Sequence, residues 1–312
     1  MAVIIPAYNR WPHVAAAVES ALAQSHPAVE VIVVDDASTD GTAARLAERF
    51  GGRVQVIALD ENGEKSRARN RGLAAATAEF VCFLDSDDVL LPDSVADRVR
   101  VFQSDPAFDG VAYGSTRRPG RPPCGRRFPS GDLLQAYVDD FGLLNNNAFL
   151  LRRARLRAIG AYRPELTNME DRELLLRLAA RLEFRYCGAA TQEVRRLAGS
   201  ARSNYAKILA QGRGVAAALR ADALVPARLG AQFRVVEFME DRERARALYK
   251  LRRHCEFAEA TRALFAAYPD FLRGDWVFRR RLLLARVGAL FDRRDAGAAR
   301  LGKLIERPLP RR

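Results

Sequence analysis

Short apolar runs alternate with helical patterns along the first part of the chain. Ala2 to Ile5, Val29 to Val34, Val54 to Leu59 and Phe80 to Leu84 are rich in Val, Ile or Phe, as buried strands are. Between them, Pro12 to Gln24, Thr39 to Phe50 and Lys65 to Ala76 carry apolar residues at helical spacing. Strands alternating with helices imply right-handed crossovers and a mostly parallel sheet flanked by helices, a Rossmann-like α/β class. Thr116 to Pro129, dense in Pro, Gly and Arg, reads as a long mobile loop. Beyond Asn145 the pattern resumes with a strand, Ala148 to Leu151, helices starting at Arg153 and Glu170, and strand-like runs at Phe184 to Cys187 and Thr191 to Leu197. The rest reads as helices: Ala206 to Ala221, Gln232 to Met239, Asp241 to Ala267 and Trp276 to Phe291. The expected organisation is an α/β domain over residues 1–204 and a smaller all-helical region over 205–312.

Charge separates the same two parts. Residues 1–200 hold 26 Lys and Arg against 26 Asp and Glu, whereas residues 201–312 hold 25 against 12, so the net +13 belongs to the tail. A basic helical tail suits a docked helix with a solvated face, weak contact with an anionic membrane surface, or another anionic partner. The four cysteines are widely spaced, with no CxxC pair and only three histidines beside them, which predicts reduced thiols and no zinc site. There is no secretory leader pattern and no unbroken apolar segment of bilayer length. A cytoplasmic location, peripheral to the inner membrane face at most, is the default expectation.

The densest chemistry lies at Phe83 to Asp93, FLDSDDVLLPD. An apolar run meets Asp85, Asp87 and Asp88 at once, then Pro92, which suits the first turn of a helix. Ligands of open α/β sheets bind beyond the carboxyl ends of the strands, so these acids stand at the lip of a site. Crowded carboxylates suit a hard divalent cation, Mg²⁺ or Mn²⁺; an acidic helix start explains the same letters without a ligand. Polar clusters follow the other strands too: Pro6 to Arg10, Asp35 to Thr42 and Glu61 to Gly72. Neither a P-loop nor a GxGxxG turn follows the first strand, which argues against ATPase and dehydrogenase readings.

The order IIPAYNR, SALAQ, VIVVDDASTDGT, ENGEKSRARNRGL, FLDSDD and MEDRELLLRL resembles the family 2 glycosyltransferases of the GT-A fold. The resemblance covers roughly residues 1–200. It implies a nucleotide-sugar donor, a divalent metal and transfer to an acceptor hydroxyl with inversion. It places Pro6, Ala7, Tyr8 and Arg10 around the nucleotide, with the Tyr8 ring as a stacking face. Asp36 would accept from the N–H of uracil, which makes a UDP-sugar the expected donor. Asp35, Ser38 and Asp40 read as turn and capping residues. Arg69 and Arg67 are the favoured basic nucleotide contacts, with Lys65 weaker, although positions 65 and 69 share one helix face and 67 and 71 another.

By the same resemblance the DxD pattern falls on Asp85, Ser86 and Asp87. Asp87 would ligate the metal, Asp85 would face the ribose or the metal's shell, and Ser86 would lie against the nucleotide; Asp88 is a candidate cap for the helix at Pro92. Asp171 would be the base that takes the acceptor's proton, with Glu170 beside it. Against this stands a capping box with Asn168 as N-cap and Asp171 at N3. Arg195, Arg196 and Arg202 are candidates for phosphate pairing after the last strand. The QxxRW motif and membrane helices of processive synthases are absent, which favours transfer of one sugar to a glycan, lipid-carrier or protein acceptor. Two other readings stay open: an inactive relative binding nucleic acid or an anionic surface through the tail, and a nucleotidyltransferase. The acids at 36, 85, 87 and 171 count against a pure binder, and nucleic acid is a disfavoured partner.

Overall fold

A computed structural model describes residues 1–120, 128–195 and 205–271. The chain divides into two compact units. Residues 1–200 and 217–230 form the first, and residues 201–216 with 231–312 form the second.

The first unit begins with β1 (Ala2–Ala7), α1 (His13–Leu22), β2 (Glu30–Asp35), α2 (Thr42–Phe50), β3 (Gln55–Ala58), α3 (Glu64–Ala75) and β4 (Phe80–Phe83). β5 (Val89–Leu90), α4 (Ser94–Ser104), β6 (Val111–Arg117), α5 (Leu134–Asp139), β7 (Phe149–Arg152), α6 (Arg153–Ile159), α7 (Glu170–Ala179) and β8 (Phe184–Glu193) follow. The eight strands form one sheet in the order β3-β2-β1-β4-β7-β6-β8-β5. β1 pairs in parallel with β2 and β4, β2 with β3, and β6 with β8, but β7 runs antiparallel to β4 and β6, and β5 to β8. The sheet is thus mixed, with four of its seven pairings parallel, in keeping with the mostly parallel sheet expected.

β1 is buried along its whole length and β2 along all but its first residue. Their continuous apolar runs are what a central strand covered on both faces requires. α3 lies close on β1: a Cβ on Gly72 would come within 2.4 Å of Ile4 Cγ2, so only glycine admits this approach.

Several elements depart from the sequence reading. β6 includes Thr116 and Arg117, and residues 121–127 of the expected loop lie outside the described residues. The two runs expected near 184 and 191 are one strand, β8, whose chain turns at Gly188 (φ 84°) with register shifts against β6. Pro92 does not open a helix: β5 intervenes, and α4 starts at Ser94 with Asp93 at its N-cap. α2 starts at Thr42 after Gly41, and Asp40 instead accepts from the Thr42 N–H at 3.0 Å.

Further along are α8 (Tyr205–Gln211), α9 (Gly214–Arg220), α10 (Leu224–Leu229), α11 (Phe233–Lys250) and α12 (His254–Ala267). The helix expected over 206–221 is thus two, interrupted around Gly212 (φ 65°). α11 runs straight through Asp241, where a break was expected. In the second unit Ala245, Phe257, Leu264 and Tyr268 form a small core. Glu240, fully buried, accepts from the Val215 and Ala216 N–H groups at 2.8 and 2.7 Å, satisfying donors that a helix start leaves open. The helix expected over 276–291 lies outside the described residues. No helix among the described residues is long and apolar enough to cross a membrane.

Candidate active site

The carboxyl ends of β1, β2 and β4 lie side by side, because parallel pairing aligns them. The Asp36 N–H donates to Ala7 O at 2.8 Å and the Leu84 N–H to Ile4 O at 3.0 Å. This edge carries Tyr8, Asp35, Asp36 and Asp85, at the position where open α/β sheets bind ligands.

Pro6 and Ala7 are buried in β1, and Tyr8 emerges from it 45% exposed. Exposure of a large ring at this edge leaves a face open for stacking. Arg10 donates its backbone N–H to Thr42 Oγ1 at 3.4 Å. The strand-exit loops brace one another: Asn9 N donates to Ser38 Oγ and Thr39 N to Asn9 Oδ1, both at 2.8 Å. Asp35 is buried and accepts from the Ser38 hydroxyl. Asp36 is 4% exposed, and its Oδ1 accepts from Gly63 N at 2.8 Å. Burial raises both carboxyls above their ordinary value.

α3 contributes the basic residues, but to different ends. Arg67 is exposed and pairs with Glu61 at 2.6 Å. Lys65 Nζ is 4.0 Å from Asp85. Arg69 does not stand at the surface: it is 2% exposed, stacks 4.9 Å from the Tyr162 ring centre, and donates to Glu170 at 2.7 Å and Asp85 at 2.8 Å. A guanidinium is a planar fork of donors, so a single buried residue can hold two carboxylates at a fixed spacing. Here it joins the acidic turn after β4 to the first turn of α7.

Neighbours on α3 secure the same arrangement. Asn70 exchanges two hydrogen bonds with the Tyr162 backbone, at 2.8 and 3.1 Å, and the Ser66 hydroxyl donates to Leu166 O at 3.0 Å. The segment leading into α7 is thereby fastened to α3.

In the acidic turn, Asp85, Asp87 and Asp88 present oxygens within 4.8 Å of one another, and Ser86 is buried between them. Burial alone would raise the Asp85 carboxyl, but Lys65 and Arg69 hold it well below the usual carboxylate range. Asp88 goes the other way: burial, then the charges of Asp85 and Asp87, push it to about 7. It caps no helix. Its Oδ2 accepts from Asn147 Nδ2 at 2.9 Å and its Oδ1 from Arg195 N at 3.0 Å. Arg195 also donates through Nε to Asp87 O at 3.0 Å; Arg196 and Arg202 lie outside the described residues. Both Asp88 oxygens are engaged and Asp85 Oδ1 already accepts from Arg69, so Asp87 is the leading ligand for an ion, with Asp85 beside it. Two hard oxygen donors open to water and phosphate fit Mg²⁺ or Mn²⁺.

Glu170 and Asp171 open α7, but no capping box forms. Met169, at φ 58°, occupies the N-cap without a side-chain cap bond, which leaves Asp171 at N2. Asp171 Oδ1 accepts from the Arg172 N–H at 2.8 Å. Burial, and then the charge of Glu170, raise the Asp171 carboxyl.

Three contributors escaped the sequence reading: Asn146, Asn147 and Tyr162. Tyr162 OH donates to Asn146 Oδ1, beside Asn147 and its bond to Asp88. The run of three asparagines at 145–147 was the available signal, since such amides are costly to bury without partners.

With this geometry in place, residues 2–153 match the family model described as Glycosyl transferase family 2. These residues are a family 2 glycosyl transferase domain. TuaG of Bacillus subtilis, named for teichuronic acid biosynthesis, is 38% identical over 125 residues, 39% of this chain and 50% of TuaG. The succinoglycan biosynthesis protein ExoO of Rhizobium meliloti is 47% identical over 90 residues, 29% of this chain and 26% of ExoO. The chain thus spans half or less of these relatives. Among solved structures, S. aureus TarS 1-349 in complex with UDP-GlcNAc superposes with a TM-score of 0.57 at 22% identity. The match covers 93% of this chain and 83% of that one. The fold is of the GT-A kind.

Proposed function

We propose that the protein transfers a single sugar from a UDP-linked donor to an acceptor hydroxyl, with inversion and with a divalent cation. The observation that carries this is the Arg69 bridge, which sets the acidic turn and the acid pair of α7 on either side of one guanidinium. A direct displacement needs charge stabilisation at the departing diphosphate and a base for the incoming hydroxyl. Tyr8 offers a ring to the base, and Asp36 accepts from uracil N3–H. Asp85 and Asp87 would hold the cation, which when bound supplies Lewis-acid stabilisation of the leaving group.

Glu170 is committed to Arg69, so Asp171 is the acid left to take the proton. Its raised carboxyl suits that task, because a base works best when its pKa approaches the working pH. Inversion follows if no side chain forms a covalent intermediate. UDP-GlcNAc bound to the similarly folded TarS supports a UDP-sugar donor.

The test is release of UDP from a panel of UDP-sugars, with sugar acceptors added. Asp171→Asn is expected to lower kcat about 10²- to 10⁴-fold while UDP affinity stays nearly constant. If Asp171→Asn keeps full turnover while Glu170→Gln, folded as judged by its melting curve, abolishes it, the assignment of the base is wrong.

A further inference from the structure

Arg172 directly follows the acid pair and differs from the other arginine of its helix. Arg177 pairs with the fully buried Glu173 at 2.7 Å. No carboxylate among the described residues lies within ion-pair distance of Arg172. Its guanidinium instead rests 5.8 Å from the centre of the Phe141 ring, and Nη1 lies 3.8 Å from the Met169 sulfur. Phe141 meets Tyr137 edge-on at 5.3 Å, and Tyr137 is fully buried. The Tyr137 hydroxyl has no hydrogen-bond partner among the described residues, and it lies in the fields of both Asp171 and Arg172. Among the described residues, a propped cation whose nearest acid, Asp171, acts on it only through the field, near a buried hydroxyl without an acceptor, is an arrangement that an anionic ligand would complete. Arg is the side chain suited to that role, since its fork matches phosphate and carboxylate oxygens.

We propose that Arg172 selects acceptors bearing a phosphate or carboxylate group, binding that anion while Asp171 receives the proton of a hydroxyl on the same molecule. This rests on the reading of Asp171 as base. Consecutive helix positions diverge by about 100°, so the anion and the hydroxyl must sit on different atoms, several bonds apart. Sugar phosphates, glycerol phosphates and uronic acids meet this condition.

The experiment uses the full chain saturated with UDP and Mg²⁺. Binding of glycerol 3-phosphate is compared with glycerol, and of glucuronate with glucose, by calorimetry or ligand-observed NMR. The anionic member of at least one pair should bind about tenfold or more tightly, and the larger ratio identifies phosphate or carboxylate as the source. Arg172→Gln should bring that ratio near one, and Arg172→Lys should keep part of it, because a point charge lacks the fork. An anion held by the metal instead would leave the ratio intact in Arg172→Gln, which overturns the proposal. Equal binding of both members by the unaltered protein, including no measurable binding of either, overturns it too. Failure of UDP itself to bind would instead count against the donor reading above.

Discussion

Arg69→Met tests the bridge most directly. The substitution keeps the side chain's length and removes the charge that holds Asp85 and Glu170. Removing one partner of a buried ion pair costs about 3–5 kcal/mol. The Asp85 and Glu170 side chains retain 26% and 11% exposure, so water recovers part of the loss and the lower end, about 3 kcal/mol, is expected. For a unit of this size that is a fall in Tm of roughly 6–12 °C. The pH dependence gives the sharper signature. Asp85 has its folded pKa depressed below the ordinary value, so its contribution is present above an unfolded pKa of about 3.9 and disappears as pH falls through the folded value. Without Arg69 the carboxyl loses both the charge and the hydrogen bond of that guanidinium, keeps Lys65, and titrates at higher pH than in the unaltered protein. The variant's deficit is therefore largest near neutrality and shrinks as pH falls below about 5, where its carboxyls take up protons. Urea unfolding across that range measures it, with Arg69→Lys, which can reach only one carboxylate, falling between. A deficit under about 1 kcal/mol at neutral pH, or one that does not change with pH, refutes the bridge as a buried clamp.

Two further outcomes follow from the donor side. UDP affinity should fall at least about tenfold on adding a chelator, since diphosphate beside Asp85 and Asp87 is repelled without a cation; Asp87→Asn should reproduce the loss, and equal calorimetric affinity with and without chelator would exclude the ion. UDP should bind better than CDP by about 1–3 kcal/mol, and Asp36→Ala should erase the difference, because cytosine offers a lone pair where uracil offers N3–H.

The early sheet was legible because β1 and β2 are continuous apolar runs, a pattern that leaves little choice of structure. The clustering of polar residues at its edge followed from strand direction alone. Arg69 was not legible in the same sense. Its letters suit a nucleotide contact, but its partner Glu170 lies 101 positions away, and sequence spacing carries no information about such a pair. Asn168 looked like a cap for the same reason that Asp88 did: capping preferences are local, whereas Met169 takes a left-handed conformation and Asp88 is claimed by Asn147 and Arg195. β8 was divided in two because Gly188 interrupts its alternation while pairing with β6 continues beyond it.

The triple attachment of α3 to α7 and the segment leading into it, through Ser66, Asn70 and Arg69, has a consequence for how such a domain diversifies. On the roles proposed above, the spacing between the acidic turn and Asp171 is set within one helix rather than by the lengths of the intervening loops. Insertions or substitutions elsewhere, including around Phe141 and Arg172, can then remodel what the protein accepts without re-tuning the spacing at which it reacts. Acceptor choice is free to drift while the reaction geometry is inherited.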